Sequence, residues 1–365
     1  MSVGKLVLVT GVSGFIAGQV VQKLLDAGYR VRGTARREKF ERLAATVHLD
    51  GLEFVRVDDI ATDSDNLAAA LKDVYAVVHV ACPLPGRASV DETLQTAVEG
   101  TLNVLRQATD LGISKFVVTS SFGALLDPSL KPAFAGLEFT EKDWGTVSLE
   151  DVKAHASNPF YTYFAAKLLA EKAVWEFAKA QRAPAIDVAT ILPGFVYGPY
   201  APFHLTPTGP SGLGTNNFPF GLVLTTGPGA SNFGKPGTRT PPTAPPWVVD
   251  VRDVARAHVA ALALLHDQAD IDSPKKLRFI LNAGSLTWKE AARYLSSSSS
   301  LPEEVKKMIM DPEDIADLPG VPSTLDTRRA RDVLGLREMI APEKTIEDAI
   351  LAVLEIQKTW SPACA

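Results

Sequence analysis

Leu6-Val7-Leu8-Val9 runs directly into Thr10-Gly11-Val12-Ser13-Gly14, and this junction restricts the fold more than any other stretch of the chain. An unbroken apolar run has no polar face, so the strand must be covered on both sides, as strands of parallel sheets are. Beyond the loop, Val20, Val21, Leu24 and Leu25 recur at helical spacing and Gly28 supplies the stop. A strand, a glycine turn and a helix in this order make a cradle for a dinucleotide pyrophosphate. Gly11 permits the tight turn and Gly14 lets the backbone come close. Ser13, Phe15 and Ile16 complete the cradle where the helix presents free N–H groups. The third small position of the pattern falls on Ala17, with Gly18 one residue late; alanine is small enough for close helix–strand packing.

The same alternation continues. Further strands are expected at 29–35, 52–57, 75–81, 115–121, 186–192 and 277–281, with helices at about 91–109 and 254–265. Strands alternating with helices give an α/β fold with a doubly wound parallel sheet of the Rossmann type. A chain of 365 residues, 46% of them hydrophobic, has ample core for it. Between 200 and 246 proline and glycine crowd in and helical periodicity vanishes, so this segment is expected to leave the core as a binding excursion. The expected division is a cofactor domain over 1–199, completed by 247–285, with 200–246 and 286–365 forming a smaller substrate-binding or lid region. Ser296 to Ser300 reads as an exposed linker, and the helical remainder as surface-lying over the mouth of the site.

A formal net charge of -5 gives no electrostatic footprint for nucleic acid or an anionic membrane, and no apolar run is long enough to span a bilayer. Met1 to Lys5 lead straight into the first strand, so no signal peptide is expected. Cys82 and Cys364 form neither a disulfide framework nor a metal-ligand spacing, which fits a reducing, cytoplasmic setting. The scattered histidines make no metal cluster, so no metal is expected.

The end of the second strand selects the cofactor. Sites for NAD place an acid there to grip the ribose hydroxyls. This chain instead has Arg36 and Arg37, with no acid until Glu38. A guanidinium pairs bidentately with a 2′-phosphate, so NADP(H) is expected, with Arg36 the main ligand and Arg37 its helper.

Tyr163 and Lys167 stand one helical turn apart, so their side chains share a face. An ammonium beside a phenol favours the phenolate and is expected to lower the tyrosine pKa, giving a proton donor usable near neutral pH. Tyr161 faces elsewhere. On its own the pair is a pattern that chance can produce; its place after the cradle gives it meaning.

Taken in order, several motifs resemble the extended short-chain dehydrogenases/reductases. These are the Gly11/Gly14 loop, Thr119-Ser120-Ser121, the Tyr163/Lys167 pair and the run from Leu192 through Pro193 and Val196 to Pro199. Val31 to Arg36, Val78-His79-Val80-Ala81, Glu99 to Leu105, Tyr163 to Trp175 and Val249 to Ala255 are similar to the branch of dihydroflavonol reductases, cinnamoyl-CoA reductases and fungal aldehyde/ketone reductases. The likeness extends to about residue 285 and is weakest across 200–246. It implies Ser121 as the catalytic serine, with Ser120 nearer the nicotinamide. Lys167 would both tune Tyr163 and hydrogen-bond the nicotinamide ribose. Asp59 and Ile60 would border the adenine, Ala81 and Cys82 the cofactor path, and Pro193 and Val196 the nicotinamide amide. Ala166 departs from the serine that many relatives carry before the lysine.

The activity so implied is reduction of a carbonyl: hydride to carbon, and a proton from Tyr163 to oxygen, assisted by Ser121 and Lys167. Phe122, Pro83, Leu84, Phe195, Tyr200, Phe218, Phe220 and Trp247 are candidate pocket walls. Their apolar character favours an aryl or alkyl carbonyl over a sugar. Lys235, Arg239 and Arg252 are too sparse for a nucleotide-sugar diphosphate. The partner expected is a small-molecule carbonyl compound, met by a monomer or homodimer. The alternatives are an NDP-sugar epimerase or dehydratase with retained NAD, and a catalytically idle NADP-binding sensor or scaffold.

Overall fold

A computed structural model describes residues 4–180, 186–223, 243–266 and 276–360. The first half winds as β1 (Leu6–Thr10), α1 (Phe15–Asp26), β2 (Arg30–Ala35), α2 (Arg37–Thr46), β3 (Leu52–Arg56), α3 (Ser64–Leu71), β4 (Ala76–His79), α4 (Val90–Asp110) and β5 (Lys115–Thr119). The short β6 (Glu138–Phe139) and α5 (Leu149–Ala154) precede the long α6 (Pro159–Ala180), then β7 (Asp187–Pro193) and β8 (Phe195–Tyr197). After α7 (Asn217–Phe220) come β9 (Trp247–Asp250), α8 (Val251–Leu264), β10 (Lys276–Leu281) and β11 (Gly284–Ser285). The chain closes with α9 (Trp288–Ser297), α10 (Glu303–Lys306), β12 (Thr324–Leu325), α11 (Arg328–Val333) and α12 (Pro342–Gln357).

Seven parallel strands form the central sheet in the order β10-β7-β5-β4-β1-β2-β3. Alternation along each strand divides its side chains between two cores. Val7 and Val9 join α1 and α8 on one face, and Leu6 and Leu8 join α3, α4 and α6 on the other. The expected doubly wound parallel sheet is therefore present. Two strands end sooner than expected: β4 at His79 and β5 at Thr119. Ser120 N–H still donates to Ile191 O at 2.8 Å, and Ala81, Cys82 and Ser120 border the crevice.

A third core lies beyond the sheet. Phe122, Phe164, Phe195, Phe218 and Trp247 pack with residues of α9 and α12, among them Leu295, Ile346 and Ile350. The C-terminal helices are thus not merely surface-lying. Ile346, Ala349, Ile350 and Val353 recur at helical spacing on α12 and are buried. The serine run is likewise no simple linker. Ser296 and Ser297 complete α9, and Ser298 is buried, with its hydroxyl donating to Glu347. Much of the proline- and glycine-rich stretch, with Lys235 and Arg239, lies outside the described residues, as does Cys364.

Arg278 ties the edge strand β10 to the rest. Its Nε donates to Glu171 Oε1 on α6 at 2.8 Å, and its Nη1 to the carbonyls of Glu141 and Asp143 at 2.8 and 2.6 Å. Its guanidinium lies 3.6 Å from the centre of the Trp144 ring. Both ends of this ion pair are buried, so removing one strands the other. Arg278→Met is expected to lower the urea unfolding free energy by about 3–5 kcal/mol, and Glu171→Met/Arg278→Met to recover most of that loss. A single-variant loss below about 1 kcal/mol would show that the edge strand does not depend on the pair.

Candidate active site

Strand β1 pairs with both β2 and β4, so chain order reverses about it and the carboxyl ends of the strands open a crevice. The loop after β1 enters that crevice. Gly11 has φ +69°, and a Cβ on it would stand 3.0 Å from Ala81 Cα, so a larger residue is excluded by both conformation and space. The turn is closed by Gly14 N–H donating to Gly11 O at 2.8 Å, and Val12 N–H ties it to Thr34 O at 3.0 Å. Ser13 stays partly exposed beside Phe15 and Ile16, which open α1 with their N–H groups toward the crevice end. Ala17 is fully buried, as expected for the small packing position. Gly18 answers to a different neighbour: a Cβ there would stand 3.1 Å from Ala201 Cβ. Its smallness seats the 199–205 segment on α1, where Gln19 donates to Pro199 O at 3.0 Å.

At the end of β2, Arg36 is the N-cap residue of α2 and Arg37 its first residue, and both are exposed. The nearby acid, Asp58, is already engaged. It accepts from Arg37 N–H at 2.8 Å and pairs with Arg56, whose guanidinium holds its carboxyl down to about 2. Lys39 joins the group, a residue the sequence reading missed although it follows Arg36 at i+3. Burial and then the charges of Arg36 and Arg87 lower its pKa, against the opposing effect of Glu38. Three cations therefore crowd a surface on which Asp58 is already paired, an arrangement suited to a multiply charged anion.

Beyond β3, Asp59 is exposed and closes its own turn, accepting from Ala61 N–H and Thr62 Oγ1, each at 2.8 Å. Ile60 packs against α4, its carbonyl accepting from Asn103 Nδ2 at 2.8 Å.

The end of β5 is held from several sides. Thr119 Oγ1 meets His258 Nε2 at 2.7 Å, and its carbonyl accepts from Lys167 Nζ at 2.6 Å. Ser120 turns to α6 and donates to Glu171 Oε2 at 2.6 Å, so its hydroxyl is already spent. Ser121 Oγ accepts from Gly123 N–H at 3.1 Å, which leaves its own proton to donate. Helix α6 starts where Asn158 Oδ1 caps the N–H groups of Phe160 and Tyr161, and it carries Tyr163 and Lys167 back along the crevice. Lys167 is buried, and with Ala81, Cys82 and Ser120 it lines one small cleft above His79.

Tyr163 is half-buried at the edge of the third core, its ring 5.5 Å from that of Phe164. Burial pushes its phenol well above the usual value, and the Cys82 thiol adds to the shift. The expected lowering by Lys167 is thus reversed in this structure: desolvation dominates, and the ammonium rests on the Thr119 carbonyl. Tyr161 does face elsewhere, stacked on His155 at 4.2 Å. Pro193 and Val196 are buried at the end of β7 and in β8.

Most of the apolar walls expected from sequence are core. Phe122, Phe195, Phe218 and Trp247 interlock in the third core, and Phe220 packs on Trp360. Tyr200 lies between Phe15 and His204 at ring distances of 5.1 and 4.8 Å. Leu84 stays exposed on the loop after β4, next to Pro83. Arg252 is committed to Asp250 and Asp348 at 2.7 and 2.6 Å. Among the described residues, no three His, Cys, Asp or Glu side chains gather as metal ligands, and no helix is long and apolar enough to cross a membrane.

The NAD dependent epimerase/dehydratase family model matches residues 7–213. The chain is 32% identical over 368 residues to the ketoreductase azaE of Aspergillus niger, covering 97% of this chain and 99% of that one. It is 34% identical over 260 residues to cinnamoyl-CoA reductase 1 of Oryza sativa, covering 70% of this chain and 67% of the relative. The crystal structure of Gre2 from Candida albicans in complex with NADPH superposes with a TM-score of 0.78 at 27% identity, covering 96% of this chain and 99% of that one. With the family model spanning more than half its length, the chain belongs to the NAD dependent epimerase/dehydratase family, the extended short-chain dehydrogenases/reductases.

Proposed function

We propose that the protein is an NADPH-dependent reductase of aldehydes or ketones. The observation that carries this reading is the buried Lys167 ammonium held on the Thr119 carbonyl at the end of β5, one helical turn from Tyr163. The glycine cradle, the cation group at Arg36 and Lys39, and the reductase names of the relatives support the cofactor. Arg36 and Lys39 hold the 2′-phosphate, with Arg37 at the rim, while Gly11 to Ile16 take the pyrophosphate. Asp59 and Ile60 border the adenine, Ala81 lies along the cofactor path, and Pro193 and Val196 lie by the nicotinamide amide. When bound, the cofactor supplies the hydride.

The chain's own residues do the rest. Ser121 donates its free hydroxyl proton as a hydrogen bond to the substrate oxygen and holds the carbonyl in place. Tyr163 gives that oxygen a proton as the carbon is reduced, so an aldehyde or ketone leaves as an alcohol. A phenol raised by burial stays fully protonated at neutral pH and is loaded for reduction. Its conjugate phenolate forms beside the Lys167 cation, which stabilises it by charge in a dry site. Ser120 supports the strand end through Glu171 rather than touching substrate. The engaged state of Arg252 favours an apolar carbonyl over a nucleotide-sugar, because its guanidinium is already neutralised.

Tyr163→Phe is expected to cut turnover on the order of 10²–10⁴-fold in an NADPH-oxidation assay while NADPH binding stays near the wild-type value. A Tyr163→Phe enzyme as active as the parent would remove Tyr163 as the proton donor. Arg36→Ala should weaken NADPH binding roughly 10- to 100-fold, the loss of a charge-assisted contact, and leave NADH binding unchanged. Equal losses for the two cofactors would exclude a 2′-phosphate contact.

A further inference from the structure

The Val78-His79-Val80-Ala81 segment ends β4 with a fully enclosed imidazole that the proposed chemistry does not use. His79 Nδ1 lies 2.9 Å from Thr10 Oγ1, and Nε2 lies 2.9 Å from Thr101 Oγ1. Neighbouring bonds fix the direction of every proton in this chain. Thr101 donates its hydroxyl proton to Ala97 O at 2.7 Å, so toward His79 it can only accept, and Nε2 carries the hydrogen. Thr10 Oγ1 accepts from Val80 N–H at 3.0 Å and Ala81 N–H at 3.1 Å. Both its lone pairs are taken, so its proton goes to Nδ1. The imidazole is therefore neutral, in the single tautomer that has an acceptor at Nδ1. A second ring proton would face Thr10 with no lone pair to receive it.

Thr10 is the last residue of β1 and immediately precedes Gly11. Its hydroxyl stitches the start of the phosphate loop to the end of β4, at the point where a Cβ on Gly11 would press on Ala81. We propose that His79 is a positioning residue for the cofactor: by taking the Thr10 proton, it fixes the Thr10 hydroxyl as a double acceptor and so sets the spacing between the Gly11 cradle and the Ala81–Cys82 wall. Burial, followed by the charge of Lys167, pushes the His79 pKa down to about 3, which keeps the ring in its accepting form. The inference rests on the NADP(H) reading of the same crevice.

The two claims separate in one binding experiment. NADPH and NADH are titrated by fluorescence against wild type, His79→Leu, His79→Asn and Thr10→Val, with melting temperatures to show that each variant is folded. Asparagine keeps an acceptor where Nδ1 stands; leucine keeps only bulk. His79→Leu is expected to weaken both cofactors by the same factor, about tenfold, and His79→Asn by no more than ~2-fold. Thr10→Val is close to isosteric and tests the same bond from the other side, with the same tenfold loss expected even where the leucine variant does not fold. A folded His79→Leu or Thr10→Val protein that binds as wild type does would overturn the positioning role, as would leucine and asparagine variants that lose affinity equally. A loss confined to NADPH would overturn it too, because it would place the effect at the 2′-phosphate. Wild type that binds neither cofactor would instead bring down the functional reading on which this one rests.

Discussion

Everything at the candidate site depends on how α6 is registered against the end of β5. Two bonds set that register: Lys167 Nζ to the Thr119 carbonyl and Ser120 Oγ to the Glu171 carboxylate. They join positions four residues apart on one helix face to successive residues of one strand. Sliding the helix by a single residue would break both and turn Tyr163 away from the crevice. Glu171 also receives Thr190 Oγ1 at 2.8 Å and the Arg278 fork, so β5, β7 and β10 meet α6 at one buried carboxylate. Buried ion pairs often add little net stability over apolar replacements. Here these bonds give Tyr163 a defined place, which an oily contact of the same volume would fix less sharply.

The charge pattern around Lys167 follows from the same packing. Its ammonium is buried, and the two enclosed imidazoles nearest in effect, His79 and His258, are driven down to about 3 and about 4 by burial together with the Lys167 charge. Both are therefore neutral at physiological pH. His258 donates Nδ1–H to Val254 O at 2.8 Å, which leaves Nε2 to accept from Thr119. Neither ring then adds a positive charge to that of the lysine.

The cofactor half of the molecule was legible because backbone geometry dictates it. An apolar strand, a glycine at φ +69° and a helix start have few substitutes, and each appears as a residue type at a fixed offset. The end of β4 at His79 is hidden in the sequence, since hydrophobicity continues through Val80 and Ala81 past the point where pairing stops. Lys39 went unnoticed because its role depends on the fold of α2 over β2, although its i+3 offset from Arg36 was visible. The raised tyrosine pKa has a physical reason that spacing does not carry. Spacing reveals a neighbouring charge, but only the folded packing reveals the desolvation that outweighs it.

The third core shows why the pocket was the least legible part. Its members come from 122–168, 192–223, 244–248, 280–325 and 346–350, segments that no local pattern links. Aromatic residues expected to face substrate instead lock these segments together, and Trp247 anchors the cluster by donating Nε1–H to Ser323 O at 2.7 Å. A pocket resting on such packing is shaped by volumes at several distant positions at once, whereas the cradle is shaped by hydrogen bonds within a few residues. Substitutions in the third core can therefore reshape the site while the cradle stays fixed. The third core, which joins α6, β8 and the C-terminal helices, and the register of α6 on β5 are thus set by two separate sets of interactions.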